Sequence, residues 1–77
     1  MGRIFIGAGR ALRITPADIV GVIAREAGLG GREIGAIQVG DRHSTVEVPE
    51  AQLDEVVAAL RSVTVRGKRI SVRRYVS

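Results

Sequence analysis

Apolar and polar residues alternate at the start of the chain, as they do along a half-buried β-strand. In the strand predicted over residues 3–7, Ile4 and Ile6 share one face and Phe5 lies on the opposite face. Placing Phe5 in the core would expose two isoleucines, whereas the reverse arrangement exposes one aromatic ring. The alternation therefore favours an outward-facing Phe5.

The same alternation returns at the end of the chain. A final strand is predicted over residues 69–75, with Ile70 and Val72 on its inner face. A short strand at residues 64–65 and a turn at Gly67 precede it. The outer face of the final strand carries the remaining side chains, Arg69, Ser71, Arg73 and Tyr75.

Two helices are predicted between these strands. Thr15 is expected to cap the first helix, with Pro16 at its first position and Gly28 at its end. Pro49 and Glu50 are expected to open the second helix. Apolar residues recur at helical spacing in this second segment, at Leu53, Val56, Val57 and Leu60.

Two further strands are predicted at residues 34–39 and 43–48, separated by a turn. The element order is then βαββαβ. We expect an α+β fold of the split-βαβ type, in which two helices cover one face of a four-stranded antiparallel sheet. The other face stays open and presents arginines and an aromatic ring, a combination that is typical of nucleic-acid binding.

Composition narrows the class of protein. With 77 residues and a hydrophobic fraction of 45%, the chain is long and apolar enough for one small domain, residues 1–77. We interpret it as one domain of a longer protein. Cysteine is absent, which excludes disulfides and thiolate metal sites and fits a cytoplasmic location. No apolar run approaches the ~18 residues of a transmembrane helix.

The charge is distributed unevenly. The net charge is +4, and no acidic residue follows Glu55. The basic residues of the tail either bind phosphates or act as solvated charge that protects an edge strand, and the lack of nearby acids favours phosphates. Tyr75 shares the parity of Arg73, so it either extends the open face or frays at the terminus. The basic residues concerned are Arg66, Lys68, Arg69, Arg73 and Arg74.

The loop after the first strand is basic and rich in glycine. Arg10 and Arg13 lie at the end of the strand that bears Phe5, where a loop can reach an RNA backbone. The Gly7-Ala8-Gly9 sequence resembles the start of a dinucleotide-binding fingerprint, but the third small residue is replaced by Leu12. We therefore reject a dinucleotide site. The loop either contacts RNA or is simply solvated, and we favour the contact with RNA.

His43 is the only histidine and invites a catalytic interpretation. Strand alternation places His43 and Glu47 on one face and Ser44 on the other, so no nucleophile lies beside the base. A base contact or a plain surface position is the better interpretation of His43. Glu47 is expected to balance the positive charge of Arg3 or Arg69, or to accept a hydrogen bond from a base amine.

The order and spacing of several segments resemble an RNA recognition motif, and more closely the DbpA-type RNA-binding domain at the C-terminus of bacterial DEAD-box RNA helicases. The resemblance covers about residues 3–74. The segments that carry it are residues 3–6, 18–23, 35–37, 44–49 and 65–70.

This resemblance implies roles for particular positions. Phe5 matches the stacking aromatic residue of the first-strand motif. His43 and Thr45 fall where the third-strand motif usually has two aromatic residues, which is a departure from the family pattern. The candidate RNA-binding residues are Arg3, Phe5, Arg10, Arg13, His43, Thr45, Arg66, Lys68, Arg69, Arg73 and Tyr75.

The resemblance also implies partners. Such domains hold structured RNA, commonly ribosomal RNA, while the helicase core of the same parent chain uses ATP to unwind nearby duplex. We expect this domain itself to be no enzyme, to need no cofactor or metal and to bind no membrane. An alternative function of a different kind is that of a protein–protein interaction module with the same fold.

Overall fold

A computed structural model describes residues 1–65 and 67–75. A four-stranded antiparallel sheet of order β2-β3-β1-β6 is covered on one face by two helices. This arrangement confirms the α+β fold predicted from the sequence. The elements are β1 (Gly2–Ile6), α1 (Pro16–Ala27), β2 (Ile37–Val39), β3 (Ser44–Val48), α2 (Leu53–Leu60), β4 (Thr64–Val65), β5 (Lys68–Arg69) and β6 (Val72–Arg74).

Local hydrogen bonds set both ends of α1. The Thr15 side chain accepts a hydrogen bond from the Asp18 N–H at 3.2 Å, and the Asp18 carboxylate accepts one from the Thr15 N–H at 3.0 Å. This capping box satisfies backbone donors that a helix start leaves unpaired. Pro16 follows the cap, and Gly28 ends the helix with a φ of 75°. The predicted start and end of this helix are confirmed.

The core lies between the helices and the inner face of the sheet. Every second residue of a strand points toward the helices, so Ile4 of β1 and Val46 of β3 are fully buried. The intervening residues of each strand face away from the helices. Ile23 of α1 packs into the same cluster. The apolar stripe predicted for the second helix is buried as well, at Leu53, Val56, Val57 and Leu60.

Two predicted elements begin later than expected. The second strand was predicted over residues 34–39 but is regular only over Ile37–Val39. Two residues, Gly35 and Ala36, lie opposite Glu47 as in a β-bulge: the Gly35 N–H donates to the Glu47 carbonyl at 2.7 Å, and the Glu47 N–H donates to the Ala36 carbonyl at 3.0 Å. The extra N–H, that of Ala36, donates to the Glu47 carboxylate at 3.1 Å. The second helix was predicted to open at Pro49, but a 3-10 helix over Glu50–Gln52 precedes the α-helix.

The prediction of one continuous final strand over residues 69–75 was wrong. The short strand β4 and the turn at Gly67, whose φ is 77°, are present as predicted, but they reverse the chain into a hairpin that pairs β4 with β5. Only β6 joins the main sheet, where it pairs with β1. Lys68 and Arg69 therefore lie on this separate hairpin, and Arg66 lies outside the described residues.

Arg74 links the last strand to the second helix. One guanidinium nitrogen pairs with the Glu50 carboxylate at 3.0 Å and the other with that of Asp54. All three side chains are largely exposed, so each pair contributes at most about 1 kcal/mol to stability. The position of Arg74 on the helix side nevertheless separates it from Arg73, which faces the other way.

Two loops are joined at the end of the sheet where β1 ends. We call residues 7–14 and 40–43 the docked loops. The Arg10 N–H donates to the Gly40 carbonyl at 2.9 Å, and the Ala11 N–H donates to the Asp41 carbonyl at 2.8 Å. The Ser44 hydroxyl donates to the Ala8 carbonyl at 2.7 Å in a buried position. The sequence predicted a permissive loop here, whereas the structure has a hydrogen-bonded block that includes a 3-10 helix over Arg10–Leu12.

In the described part of the chain, neither helix combines the length and the apolar character needed to cross a bilayer.

Candidate nucleic-acid interface

Strand register sets a row of side chains across the open face of the sheet. Phe5 of β1 lies opposite Thr45 of β3 on one side and Arg73 of β6 on the other. Gln38 of β2 lies opposite Thr45 and completes the row. We call this row, together with Arg3, His43 and Tyr75, the stacking face.

The outward orientation predicted for Phe5 is confirmed. Its neighbours Ile4 and Ile6 are buried at 0% and 5% exposure, while the Phe5 side chain lies on the opposite face and is half-buried. Half-burial of an aromatic side chain on an open sheet leaves apolar ring surface within reach of a ligand. Phe5 therefore stands where a stacking residue needs to be.

The Phe5 ring has two protein partners. The Arg73 guanidinium carbon lies 4.6 Å from the ring centroid, a cation–π contact. The His43 ring stacks on Phe5 with centroids 5.6 Å apart and an interplanar angle of 20°. Because β3 and β6 flank β1, these partners reach the ring from opposite sides of the strand. The Phe5 ring therefore already contacts a cation and a second ring before any ligand binds.

An acidic residue, Glu47, lies beside the stacking face. Glu47 is opposite Arg3 and pairs with its Nε at 3.4 Å. The hydrogen bond from the Ala36 N–H, and secondarily the Arg3 guanidinium, lower the pKa of Glu47 below its ordinary value although partial desolvation acts in the other direction. The carboxylate is therefore ionised at neutral pH. Of the two arginines predicted to pair with Glu47, Arg3 does so, whereas Arg69 lies on β5.

Tyr75 lies at the edge of the stacking face. Its N–H donates to the Arg3 carbonyl at 2.9 Å, which continues the pairing of the last strand past β6. Its side chain is 41% exposed. Together with Arg3, His43 and Thr45, it lines an open depression of about 300 Å³. The structure thus places Tyr75 with the other face residues, as its parity predicted.

Arg10 and Arg13 lie on the docked loops rather than on the sheet. Arg10 is exposed and pairs with Asp41 at 3.5 Å, a contact that solvent screens. Arg13 has a left-handed backbone with a φ of 59°. Both residues flank the end of β1, close to the stacking face but outside it.

Three predicted residues remain, and two of them also lie outside the stacking face. Lys68 and Arg69 are exposed on the β4–β5 hairpin, because β5 pairs with β4 and the chain joins the main sheet only from Ser71, whose carbonyl accepts the Gly7 N–H at 2.7 Å. The assignment of Arg69 to the outer sheet face was wrong, since it depended on a continuous strand. The third residue, Arg66, lies outside the described residues.

Sequence reasoning missed two residues, one in the row that contains Phe5 and one in the turn before His43. Gln38 lies between Ile37 and Val39 on a short strand, and that alternation was a sufficient signal for its outward orientation. Arg42 is exposed immediately before His43 in the turn that leads into β3. Its position beside the first loop depends on the docking of two segments distant in sequence, which no local pattern indicates.

Comparisons with known proteins agree with this geometry. Residues 3–74 match the family model described as the DbpA RNA binding domain. The chain is 29% identical to an ATP-dependent RNA helicase DbpA of Bacillus subtilis, over 94% of this chain and 15% of the helicase. It is 33% identical to an ATP-dependent RNA helicase DeaD of Mycobacterium tuberculosis, over 91% of this chain and 12% of the helicase.

These helicases are much longer than the chain, which covers only a small fraction of their length. Among solved structures, the Nab3-RRM superimposes with a TM-score of 0.79 at 16% identity, over 99% of this chain and 96% of the other. RNA binding protein PG1 superimposes with a TM-score of 0.76 at 14% identity, over 100% of this chain and 96% of the other. At such low identity these two likenesses establish the fold alone.

Proposed function

Because the chain belongs to the DbpA RNA-binding domain family, we propose that it anchors a DEAD-box RNA helicase to structured RNA, ribosomal RNA in particular, through its stacking face. The observation that carries this proposal is the Phe5 ring, which is held between Arg73 and His43 on an open sheet face. Aromatic rings on a sheet bind unpaired bases by stacking, and neighbouring arginines contact the phosphates.

The polar residues around Phe5 fit the same role. Thr45 and Gln38 follow Phe5 across the sheet and offer hydrogen-bonding groups to base edges or to ribose 2′-hydroxyls. Arg3 and Arg73 supply positive charge for the backbone. In this account phosphate contacts provide most of the affinity, and the residues of the row provide selectivity.

The domain needs no chemistry of its own for this function. We propose that unwinding and ATP hydrolysis belong to the helicase core of a longer parent chain, which would act in the cytoplasm on RNA near the anchored segment. The B. subtilis and M. tuberculosis relatives are helicases in which the matching region is 15% and 12% of the length. Their size leaves ample chain for such a core.

A protein-interaction module is the second candidate, and one observation favours it. An apolar groove of about 320 Å³ lies between α1 and the β4–β5 hairpin, on the opposite side of the molecule from Phe5. Val22, Val65 and Ile70 line it and are only half-buried. A partner seated there would bind with little dependence on salt, since apolar burial is not screened.

The test is a titration of fluorescent ribosomal RNA hairpin with single-stranded flanks at several salt concentrations, competed by scrambled RNA and by duplex DNA. We expect selective binding of the hairpin whose log affinity falls with log salt at a slope of roughly −1.5 to −3, since each contacted phosphate contributes about 0.7. Equal competition by DNA, or an affinity that salt does not change, would contradict the proposal.

A further inference from the structure

The groove between α1 and the β4–β5 hairpin, which we call the apolar groove, has a volume of about 320 Å³. Buried core residues form its floor, among them Ile6, Ile23 and Val72. The half-buried aliphatic side chains of its walls are Val22 of α1 and, around the hairpin, Val63, Val65 and Ile70. Water therefore contacts apolar surface on both walls, and covering such surface is favourable.

A glycine in the middle of α1 opens one wall of the apolar groove. Gly21 lines the groove, and a Cβ placed there would meet no atom within 4 Å. Ala17, one turn earlier, lines the same wall. Glycine is less favourable than alanine in a helix interior, and no close contact with the described residues requires it here. The missing side chain instead lets another chain approach α1 closely.

The α1 wall is long enough for two turns of a second helix. It runs from Ala17 to Arg25, about 12 Å at the usual rise of an α-helix. A helix laid along this wall presents its residues i, i+4 and i+7 to the groove over about 10 Å. Two or three aliphatic side chains on one face of a short helix therefore match the groove in length.

Exposed cations surround the apolar groove. Arg25 lines it near the end of α1. Lys68 and Arg69 form β5, where Lys68 lies opposite Val65 of the groove wall. All three cations are exposed, and within the part of the chain that the structure describes none of them is in an ion pair. Asp18, an acid in the lining, already caps α1. The uncompensated positive charge favours a partner that brings carboxylates.

A second copy of the chain does not suit the apolar groove. A two-fold contact between two grooves would bring the cations of both copies together, which is unfavourable. The outer face of α2 carries the acids Asp54 and Glu55, with Ala58 exposed beside them. The larger apolar residues of this helix are buried in the core. The helix α2 of another copy therefore offers negative charge without an apolar stripe.

We infer that the apolar groove is a docking site for an acidic amphipathic helix of a partner protein. Aliphatic side chains on one face of this helix cover the groove walls, and its flanking carboxylates lie near Arg25, Lys68 and Arg69. Apolar burial supplies the affinity, while the cations speed the encounter and discriminate against basic partners. The groove and Phe5 are on opposite sides of the molecule, so the domain holds this helix and RNA together. This inference goes beyond RNA binding and does not depend on it.

The test titrates the labelled domain with three synthetic helical peptides of equal length. The first has leucine at i, i+4 and i+7 flanked by glutamates, the second has lysines in place of the glutamates, and the third has alanines in place of the leucines. The first peptide should bind, with the largest amide shifts at Val22, Val65 and Ile70. The second should bind about tenfold more weakly or less, and the third should show no saturable binding.

Gly21→Gln fills the apolar groove without removing any contact. It should weaken the binding of the first peptide by about tenfold or more, because the added side chain occupies the space that the peptide needs. The variant should unfold at the same or a higher urea concentration, since glutamine is favoured over glycine in a helix. Ala24→Gln is the matched control, because Ala24 is exposed on α1 outside the groove. Its peptide affinity should stay within about twofold of the unmodified domain.

Charge is tested by a second pair of variants. Lys68→Gln/Arg69→Gln should slow association of the first peptide several-fold, whereas Arg32→Gln/Arg42→Gln, which removes the same charge away from the groove, should not.

Several results would overturn the inference: no binding of the first peptide, equal affinity for the first two, equal losses in both glutamine variants of α1, or displacement of the peptide by saturating single-stranded RNA. A domain that binds the first peptide at the groove but binds no RNA would support the inference and overturn the proposed function.

Discussion

Replacing Phe5 with alanine should weaken the binding of unpaired RNA by about 5- to 150-fold, which corresponds to the 1–3 kcal/mol that a base–aromatic stack contributes. The substitution also removes the surface on which Arg73 and His43 rest. Phe5 is half-buried on the outer face, and the core residues Ile4 and Ile6 keep their neighbours. The far-UV circular dichroism of the variant should therefore match that of the unmodified protein.

Arg73 is expected to act together with Phe5. Arg73→Ala should weaken RNA binding as well, and the double variant should lose less than the sum of the two single losses, because the two side chains contact each other. Arg74→Ala is the matched control, since it removes the same charge from the next residue on the helix side of the sheet. If Arg74→Ala weakened binding as much as Arg73→Ala, affinity would depend on net charge and the stacking face would be the wrong site.

The second large effect concerns the docked loops. Gly9→Ala should lower the free energy of unfolding by about 1–3 kcal/mol, the usual cost of forcing an atom into a packed site. The added Cβ would lie 2.2 Å from the Gly40 carbonyl oxygen and 2.9 Å from that of Asp41. Both are backbone atoms, so the two loops must separate to make room. Urea unfolding followed by circular dichroism measures the change.

Gly21→Ala provides the matched control for this stability effect. Gly21 lies in the middle of α1, and a Cβ there would meet no atom within 4 Å. Alanine in a helix interior is favoured over glycine by about 0.5–1 kcal/mol, so this variant should be more stable. Gly9 has an extended backbone with a φ of −154°, so its cost is steric rather than conformational. An unchanged or raised stability of Gly9→Ala would show that the loops are not held as described.

Features that depend on short-range patterns could be predicted from the sequence. The alternation around Phe5 predicted its outward orientation because a one-residue shift would expose both Ile4 and Ile6. The ends of α1 could also be predicted from the sequence, since Thr15 and Gly28 act through hydrogen bonds and backbone geometry within a few residues. These features supply the fold and the centre of the stacking face.

The rest depends on contacts between distant segments. Arg69 has the parity of an outer strand face, yet the turn at Gly67 places it with Lys68 in β5, whose partner is β4. Similarly, Gly35 and Ala36 both lie opposite Glu47, whose carboxylate accepts the Ala36 N–H, so regular strand geometry begins only at Ile37. The turn that carries Arg42 is held against the first loop only because two segments distant in sequence pack together. Local patterns carry no information about such pairings, so they become visible only in the folded chain.

The most direct test of the RNA-binding face is an NMR titration of labelled protein with unlabelled single-stranded RNA, following backbone amides and the rings of Phe5 and His43. The account predicts that the largest shifts occur at Phe5, Thr45 and Arg73, with the Phe5 ring signals moving as a base stacks on it. Shifts confined to the groove between α1 and the β4–β5 hairpin, at Val22 and Val65, would contradict the account and favour the interaction module.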